Sequence, residues 1–405
     1  MAFPTLQFRP ILSALKSHYI PASLIVLEIA LTCAVLCNAV FMIGQRVGDI
    51  QLPNGIEESA LSVVTVQGTE TRAAADVVPR NVAALRGVSG VSAAAAVSSV
   101  PLDQSSKLAG FATTPEGKAT VNSAKYFLGR DGAETLGLRL IEGRLFRDGE
   151  YADGNVVEGL PTSHVAVVTQ SDARRLWPGE GALGKQIYAR DASWTVVGVV
   201  ADVLAQDPSF SSNRGMYSSV FFPVQPNALL KKYVLRSAPQ DRERVLREGA
   251  DALARLDPAA VLETQTYSQI RDDYFAEMSS MAWLLVLVCV VMLAVTIFGI
   301  VGLSSFWVQQ RRRQIGVRRA VGATRGDILS YFLTENLILS AAGVVVGVAL
   351  AYGINGYLLA HYEMQRMPWY FLPISAVLLC GAGQFAALGP ALRATAVPPG
   401  EAIRS

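Results

Sequence analysis

The stretch from Met281 to Trp307, MAWLLVLVCVVMLAVTIFGIVGLSSFW, contains no ionisable residue. A bilayer core about 30 Å thick needs roughly 20 apolar residues as a helix, so this run predicts a membrane span and sets the fold class. Three other windows meet the same demand: Ala22 to Gly44, interrupted by Glu28; Tyr331 to Leu359, with Glu335 and Asn336 near its start; and Phe371 to Gly389, which is free of charge. Ala22 to Gly44 exceeds the apolar core of a signal peptide and has no small-x-small cleavage site, so it reads as an uncleaved first span. The whole chain agrees with a membrane protein. Of its 405 residues 51% are hydrophobic and 17% charged, against roughly 25% charged in soluble domains, and its mean hydropathy is +0.33.

Orientation follows from Lys and Arg in the flanks, which cytoplasmic loops retain in excess. Residues 1–21 hold Arg9 and Lys16 and no acid, and residues 308–330 hold Arg311, Arg312, Arg313, Arg318, Arg319 and Arg325 against Asp327 alone. Both segments are expected inside, and an even number of spans returns the tail, 390–405, to the same side. Residues 45–280 carry 24 bases and 28 acids, the mixture of a folded aqueous domain, and are expected outside together with the short loop 360–370.

The outside segment reads as α+β. Leu61 to Gln67 alternates like a half-buried strand, residues 72–86 are helix-like with Pro79 as a candidate break, and Val91 to Val100 reads as strand. A second such unit closes the domain, with Tyr233 to Arg236, the charged helix Asp241 to Leu256, and Val261 to Thr266. A β-rich insertion of about residues 102–228 lies between them and is expected as a separate lobe, while the outer halves pair into one split sheet. Residues 267–280 are expected to lead as continuous helix into the second span.

Several kinds of chemistry find little footing. A formal net charge of +2 gives no electrostatic case for nucleic acid. Cys33, Cys37, Cys289 and Cys380 all lie in apolar segments without a CxxC pattern, and His18, His164 and His361 are far apart, so neither a disulfide framework nor a metal site is expected. Gly179 to Gln186 fits GxxxxGK but has Gln186 where a phosphate loop places Ser or Thr for Mg²⁺. It also follows a helical stretch and leads into a strand, the reverse of a phosphate loop, so a turn bearing a surface lysine is the simpler reading. No GxSxG, HExxH or paired-carboxylate pattern marks a hydrolase.

Intramembrane carboxylates are functional candidates by default. Glu28 lies about six residues into its span, roughly 9 Å by helical rise, and Glu335 is similarly shallow, so pairing with the arginine-rich loop competes with a transport role for both. Gly343, Gly347 and Ala351 form a small-xxx-small stripe that lets helices approach closely, within the chain or across a dimer seam.

The segment Gln310 to Leu329, QRRRQIGVRRAVGATRGDIL, followed by Thr334, Glu335 and Asn336, resembles the signature of FtsX-like permeases of the MacB family of ABC transporters. Thr135 to Arg144, Leu176 to Glu180 with Gly184 and Lys185, and Thr195 to Asp202 resemble that family's periplasmic core; Pro390 to Arg393 and Pro399 to Arg404 resemble its tail. The resemblance implies a bacterial inner-membrane protein whose outside domain pairs a porter-like split β-α-β lobe with an inserted β-rich lobe. It also implies a coupling helix that docks on an ABC ATPase subunit, a second permease copy or paralogue, and in some members a periplasmic adaptor. ATP and Mg²⁺ would then bind the ATPase, no cofactor this chain. MacB carries its ATPase on the same chain, whereas 21 residues precede the first span here, so a split form is expected. Cargo would be a peptide, an antibiotic or a lipid-linked molecule; the alternative is a signalling permease that controls an outside partner such as a cell-wall hydrolase.

The loop's residues suit docking. Ile315, Val317, Ala320 and Val321 supply an apolar ridge, Gly316 and Gly322 permit close approach or sharp termination, Arg318 and Arg319 offer bidentate donors to carboxylates, and Ala323 completes the segment. Topology and contact with anionic lipid headgroups would explain the arginine count alone, but not the interleaved apolar and glycine positions. If the topology is correct, single cysteines introduced as Ser211→Cys and Ser405→Cys label from opposite sides of the membrane. Labelling of both from the outside would overturn it.

Overall fold

The computed structural model describes residues 19–67, 74–105, 108–152, 156–157, 160–190, 192–208, 215–362 and 367–395. In chain order its elements begin with α1 (Tyr19–Ile50), β1 (Leu61–Gln67), α2 (Ala74–Arg86), β2 (Val91–Val97), β3 (Leu108–Phe111), β4 (Val121–Leu128) and α3 (Gly132–Leu136). They continue through β5 (Leu140–Gly143), β6 (Val156–Val157), β7 (Leu160–Pro161), β8 (Val165–Thr169), α4 (Gln170–Leu176), β9 (Gln186–Ala189), β10 (Ala192–Val200) and β11 (Ser219–Pro223). The last are β12 (Lys232–Ser237), α5 (Arg242–Leu256), β13 (Val261–Thr266), α6 (Tyr267–Gln310), α7 (Arg312–Ala320), α8 (Arg325–Tyr362) and α9 (Phe371–Thr395). Two compact units result: Leu52–Glu277, and Met1–Gln51 with Met278–Ser405.

Leu52–Glu277 form an α+β domain on a single large sheet, ordered β13-β1-β12-β2-β4-β11-β8-β10-β5, with β3 on β4 and β9 on β10. The two outer β-α-β segments interleave: β1 pairs antiparallel with both β12 and β13, and β12 also pairs antiparallel with β2. Central β12 and β11 are largely buried, while edge strand β13 is mostly exposed, with only Thr266 buried. Helices α2 and α5 cover the outer part, and a side chain at Gly249 of α5 would come within 3.1 Å of Leu85 and 3.2 Å of Leu235. Pro79 does not end α2, because the hydrogen bond that it forgoes would reach back only to Ala75 in the first turn.

The insertion is β-rich, but its strands extend the same sheet. The join is the single pair Val97↔Leu128 between β2 and β4, and one apolar core runs from Leu85 and Val245 to Trp194 and Phe222. Alternation within each strand cannot reveal such a join, which depends on strands far apart in sequence. Within the insertion, the Trp194 ring lies edge-on to Phe222 at 5.1 Å between centroids, and its Nε1 donates to Pro161 O at 3.3 Å.

The strand expected from Val91 to Val100 stops at Val97. Beyond it the chain exchanges hydrogen bonds through Ser98, whose N–H donates to Phe127 O at 2.9 Å and whose Oγ accepts from Phe127 N at 3.0 Å. Asp103 then gathers the backbone N–H groups of Val100 and Ser105, both at 2.9 Å, with Leu102 and Gln104 at positive φ, and its buried carboxylate meets Lys232 Nζ at 3.2 Å.

Four helices are long and apolar enough to cross a membrane: Ala22–Ile50, Tyr267–Gln310, Arg325–Tyr357 and Phe371–Thr395. All four run past the expected spans, α1 continuing from Gly44 to Ile50. α6 continues unbroken from residue 267 as expected, α8 begins six residues before position 331, and α9 passes through Pro390 to Thr395, into the segment expected as tail. Residues 396–405, 1–18 and 363–366 lie outside the described residues.

Asp172, in the first turn of α4, is completely buried. Burial pushes its carboxyl up to about 6, partly offset by the Ser123 and Ser218 hydroxyls and Arg175, while Asp202 adds to the rise. A carboxyl raised in the fold holds a proton that the unfolded chain releases, so stability is greatest below about pH 4 and declines as pH climbs to about 6. Asp172→Asn is therefore expected to remove that decline, for a gain at pH 7.5 on the order of 2 to 3 kcal/mol. Hydrogen exchange of β8 and α4 between pH 4 and 8 measures it.

Candidate functional site

The arginine-rich segment is a second, short helix folded back against the membrane helices. α6 ends at Gln310, Arg311 is the N-cap of α7 at φ −97°, and α7 runs to Ala320. Its termination is specified atom by atom: Gly322 N donates to Arg319 O at 3.1 Å and Ala323 N to Arg318 O at 3.0 Å, the two bonds of a Schellman turn. Gly322 sits at φ +106°, where a side chain is strained. The next helix opens at once. Thr324 N donates to Asp327 Oδ2 at 2.9 Å and Asp327 N donates to Thr324 Oγ1 at 3.2 Å, a reciprocal capping box. The Gly-Ala-Thr-x-x-Asp run thus encodes a tight joint between α7 and α8, and its Thr-x-x-Asp spacing was the sequence signal for it.

α7 is seated by four contacts. Ile315 is buried in an apolar cluster with Val308 of α6, Ile328 and Phe332 of α8, and Ala391 and Ala394 of α9. Arg319 Nη1 donates to Thr395 O at 3.2 Å, at the carbonyl end of α9, where a cation is favoured by the helix dipole. The Arg318 guanidinium lies 4.9 Å from the centroid of the Tyr331 ring. Arg311 Nη1 donates to both carboxylate oxygens of Glu335, each at 3.0 Å, with the side chains 9% and 1% exposed.

These contacts correct the expected docking ridge. Ile315 and Gly316 face the chain's own core and cannot enter a partner's cleft. Arg319 is partly covered where it reaches Thr395, while Arg318 lies over Tyr331 and stays exposed. The expected residues left facing outward are Val317, half exposed, Val321, 84% exposed, Arg318, Ala320 and Gly322, with Ala323 partly covered. Arg311, Tyr331 and Thr395 are seat residues that the sequence reading did not pick out.

The remaining intramembrane candidates lie on other faces. A side chain at Gly343 would fall 2.7 Å from Ile29, and one at Gly347 2.7 Å from Ala30 O, so the stripe with fully buried Ala351 is the surface where α8 meets α1. Glu28 is half-buried against Gly299 of α6, whose added Cβ would lie 2.5 Å from both carboxylate oxygens, and among the described residues it has no cation partner. One turn on, Thr32 and Thr296 hydroxyls meet at 2.8 Å. Asn336 donates to Gly383 O at 2.9 Å, tying α8 to α9. In the α+β domain Lys185 of the GxxxxGK loop pairs with Glu180 and stands 5.5 Å from the Trp177 ring, a closed turn with Gly184 at φ +76°.

A bundle of membrane helices with an α+β domain between the first two and a seated, partly exposed basic helix between the second and third defines a permease class. The MacB-like periplasmic core domain matches residues 33–266 and the FtsX-like permease C-terminal domain matches residues 286–399. The chain belongs to the MacB family of FtsX-like ABC transporter permeases. Among curated relatives, the macrolide export ATP-binding/permease protein MacB of Chromobacterium violaceum is 29% identical over 241 residues, covering 58% of this chain and 36% of the relative. That of Neisseria gonorrhoeae is 24% identical over 298 residues, covering 70% and 44%. The chain thus spans less than half the length of these relatives. Two solved structures are also similar: the periplasmic region of MacB from Actinobacillus actinomycetemcomitans, at 14% identity and TM-score 0.37, covers 56% of this chain and 97% of that one. The extracellular domain of the noncanonic ABC-type transporter YknZ from Gram-positive bacteria, at 15% identity and TM-score 0.34, covers 50% and 99%.

The joint makes a stability prediction. Gly322→Ala should cost about 1 kcal/mol from the left-handed backbone, and Thr324→Ala about 1 kcal/mol from the lost cap. Thermal unfolding of the detergent-solubilised chain, with local hydrogen exchange over residues 317–328, checks both.

Proposed function

We propose that the chain is the permease part of a MacB-type ABC exporter, in which ATP hydrolysis by an ATPase partner moves the α+β domain outside the membrane. The observation that carries this reading is α7: a nine-residue helix, seated on α8 and α9, that leaves Val317 and Val321 exposed beside Arg313. Exposed valines on a basic helix fit an apolar slot rimmed by carboxylates. The arginine excess around α7 favours the cytoplasm for this face, hence the outside for Leu52–Glu277 and the inside for both termini.

Unbroken α6 supports a mechanical route, since one hydrogen-bonded helix begins at Tyr267 and ends at the root of α7. At its start, Tyr267 is buried with its hydroxyl donating to Pro101 O at 2.7 Å, Arg271 pairs with Glu58, and Tyr274 OH donates to Asp207 Oδ1 at 2.9 Å, so this end is fixed in the α+β domain. Cargo would be a peptide, an antibiotic or a lipid-linked molecule that enters from the outer side. The chain would act as a dimer with a second copy or paralogue, with an adaptor as a further partner.

Val317→Asp combined with Val321→Asp places two carboxylates on the docking face without touching the seat. Co-purified ATPase is expected to fall by about tenfold or more, since 1.4 kcal/mol already gives that factor, while Lys185→Ala in the α+β domain changes nothing. Undiminished ATPase on the double variant, with the chain correctly inserted, would refute the docking face.

A further inference from the structure

Of the four contacts that seat α7, one differs in kind. The Ile315 cluster is apolar and non-directional, so it tolerates sliding. The contacts of Arg318 with Tyr331 and of Arg319 with Thr395 O involve partly or fully exposed arginines. Arg311 and Glu335 are desolvated and joined by two 3.0 Å bonds from one nitrogen, between the residue that roots α7 and the core-facing side of α8. Separation of the two would leave a lone buried ion, the costly way to break such a pair.

A cavity of about 20 Å³ adjoins the pair, lined among others by Ser304, Trp307, Glu335, Asn336 and Pro390. Trp307 Nε1 and Arg311 Nη2 have no hydrogen-bond partner among the described residues. The space suffices for one water, within reach of the Trp307 side chain that lines it. The indole ring also lies 5.8 Å from the Arg311 guanidinium carbon, closing the remaining side.

We propose that the Arg311–Glu335 pair is the latch through which displacement of α7 is carried to α8, which makes Glu335 a positioning residue for coupling and not a carboxylate of a transport path. The inference rests on the coupling reading above. It assigns to Glu335 a task that Glu28, half-buried against Gly299 without a described cation partner, does not share.

The test compares the full chain purified with its ATPase in three forms: unaltered, Glu335→Gln, and the exchanged pair Arg311→Glu with Glu335→Arg. Glu335→Gln should retain the ATPase yet lose permease-dependent ATP turnover by about tenfold, with amide exchange in residues 312–320 faster by a similar factor. The exchanged pair should recover most of both. A merely structural role would lower ATPase retention and turnover together. Unchanged turnover and α7 exchange in Glu335→Gln would overturn the latch. So would an exchanged pair no better than the single variant while α1 and α9 keep their protection. Should even the unaltered chain retain no ATPase, the coupling reading fails, and α7 exchange alone then decides whether the pair holds the helix.

Discussion

Arg311 and Glu335 form a buried ion pair where α6, α7 and α8 converge. Their pair, two hydrogen bonds from one guanidinium nitrogen to both carboxylate oxygens, holds the point at which α6 turns into α7. With Arg311 held on α8, Ile315 falls into the cluster between α8 and α9, Arg319 reaches the last carbonyl of α9, and Val317 and Val321 are left on the outer face. α8 is in turn held against α1 through Gly343 and Gly347, where side chains would collide with Ile29 and Ala30. The basic helix is thus supported by three of the four candidate spans through packing, and by one polar contact that cannot slip.

The division of labour among the arginines follows from helix geometry. Positions 311, 315 and 319 lie on one face at the i, i+4, i+8 spacing, and that face turns inward to Glu335, the apolar cluster and Thr395. Positions 313, 317 and 321 continue the opposite face and point outward. A count of arginines in the loop cannot distinguish these faces, whereas the helical period does once the ends of the helix are known.

Much of the architecture was legible in the sequence because its signals are local. Four apolar blocks, the strand β1 and the charged helix α5 are each written within about 20 residues. Non-local features were not legible. The join of the insertion to the sheet at Val97↔Leu128, and the 24-residue separation between Arg311 and Glu335, depend on packing that no window contains. Ile315 was misjudged for the same reason: an apolar residue in a basic loop looks available until the helices that cover it are in place. The turn Gly322 to Asp327 lies between these cases, with every bond local and only its paired motifs needing to be read together.

The central claim is that α7 and α8 move as one body because of the buried pair. Spin labels at Gln314→Cys on α7 and Leu337→Cys on α8, both exposed positions away from Val317 and Val321, report it directly, with Cys33, Cys37 and Cys289 buried and the partly exposed Cys380 replaced by serine. In the complex with ATPase, the account predicts a single narrow distance that stays the same with and without ATP, and broadens when Glu335→Gln is added. A distance that shifts on ATP binding in the otherwise unaltered chain would contradict it.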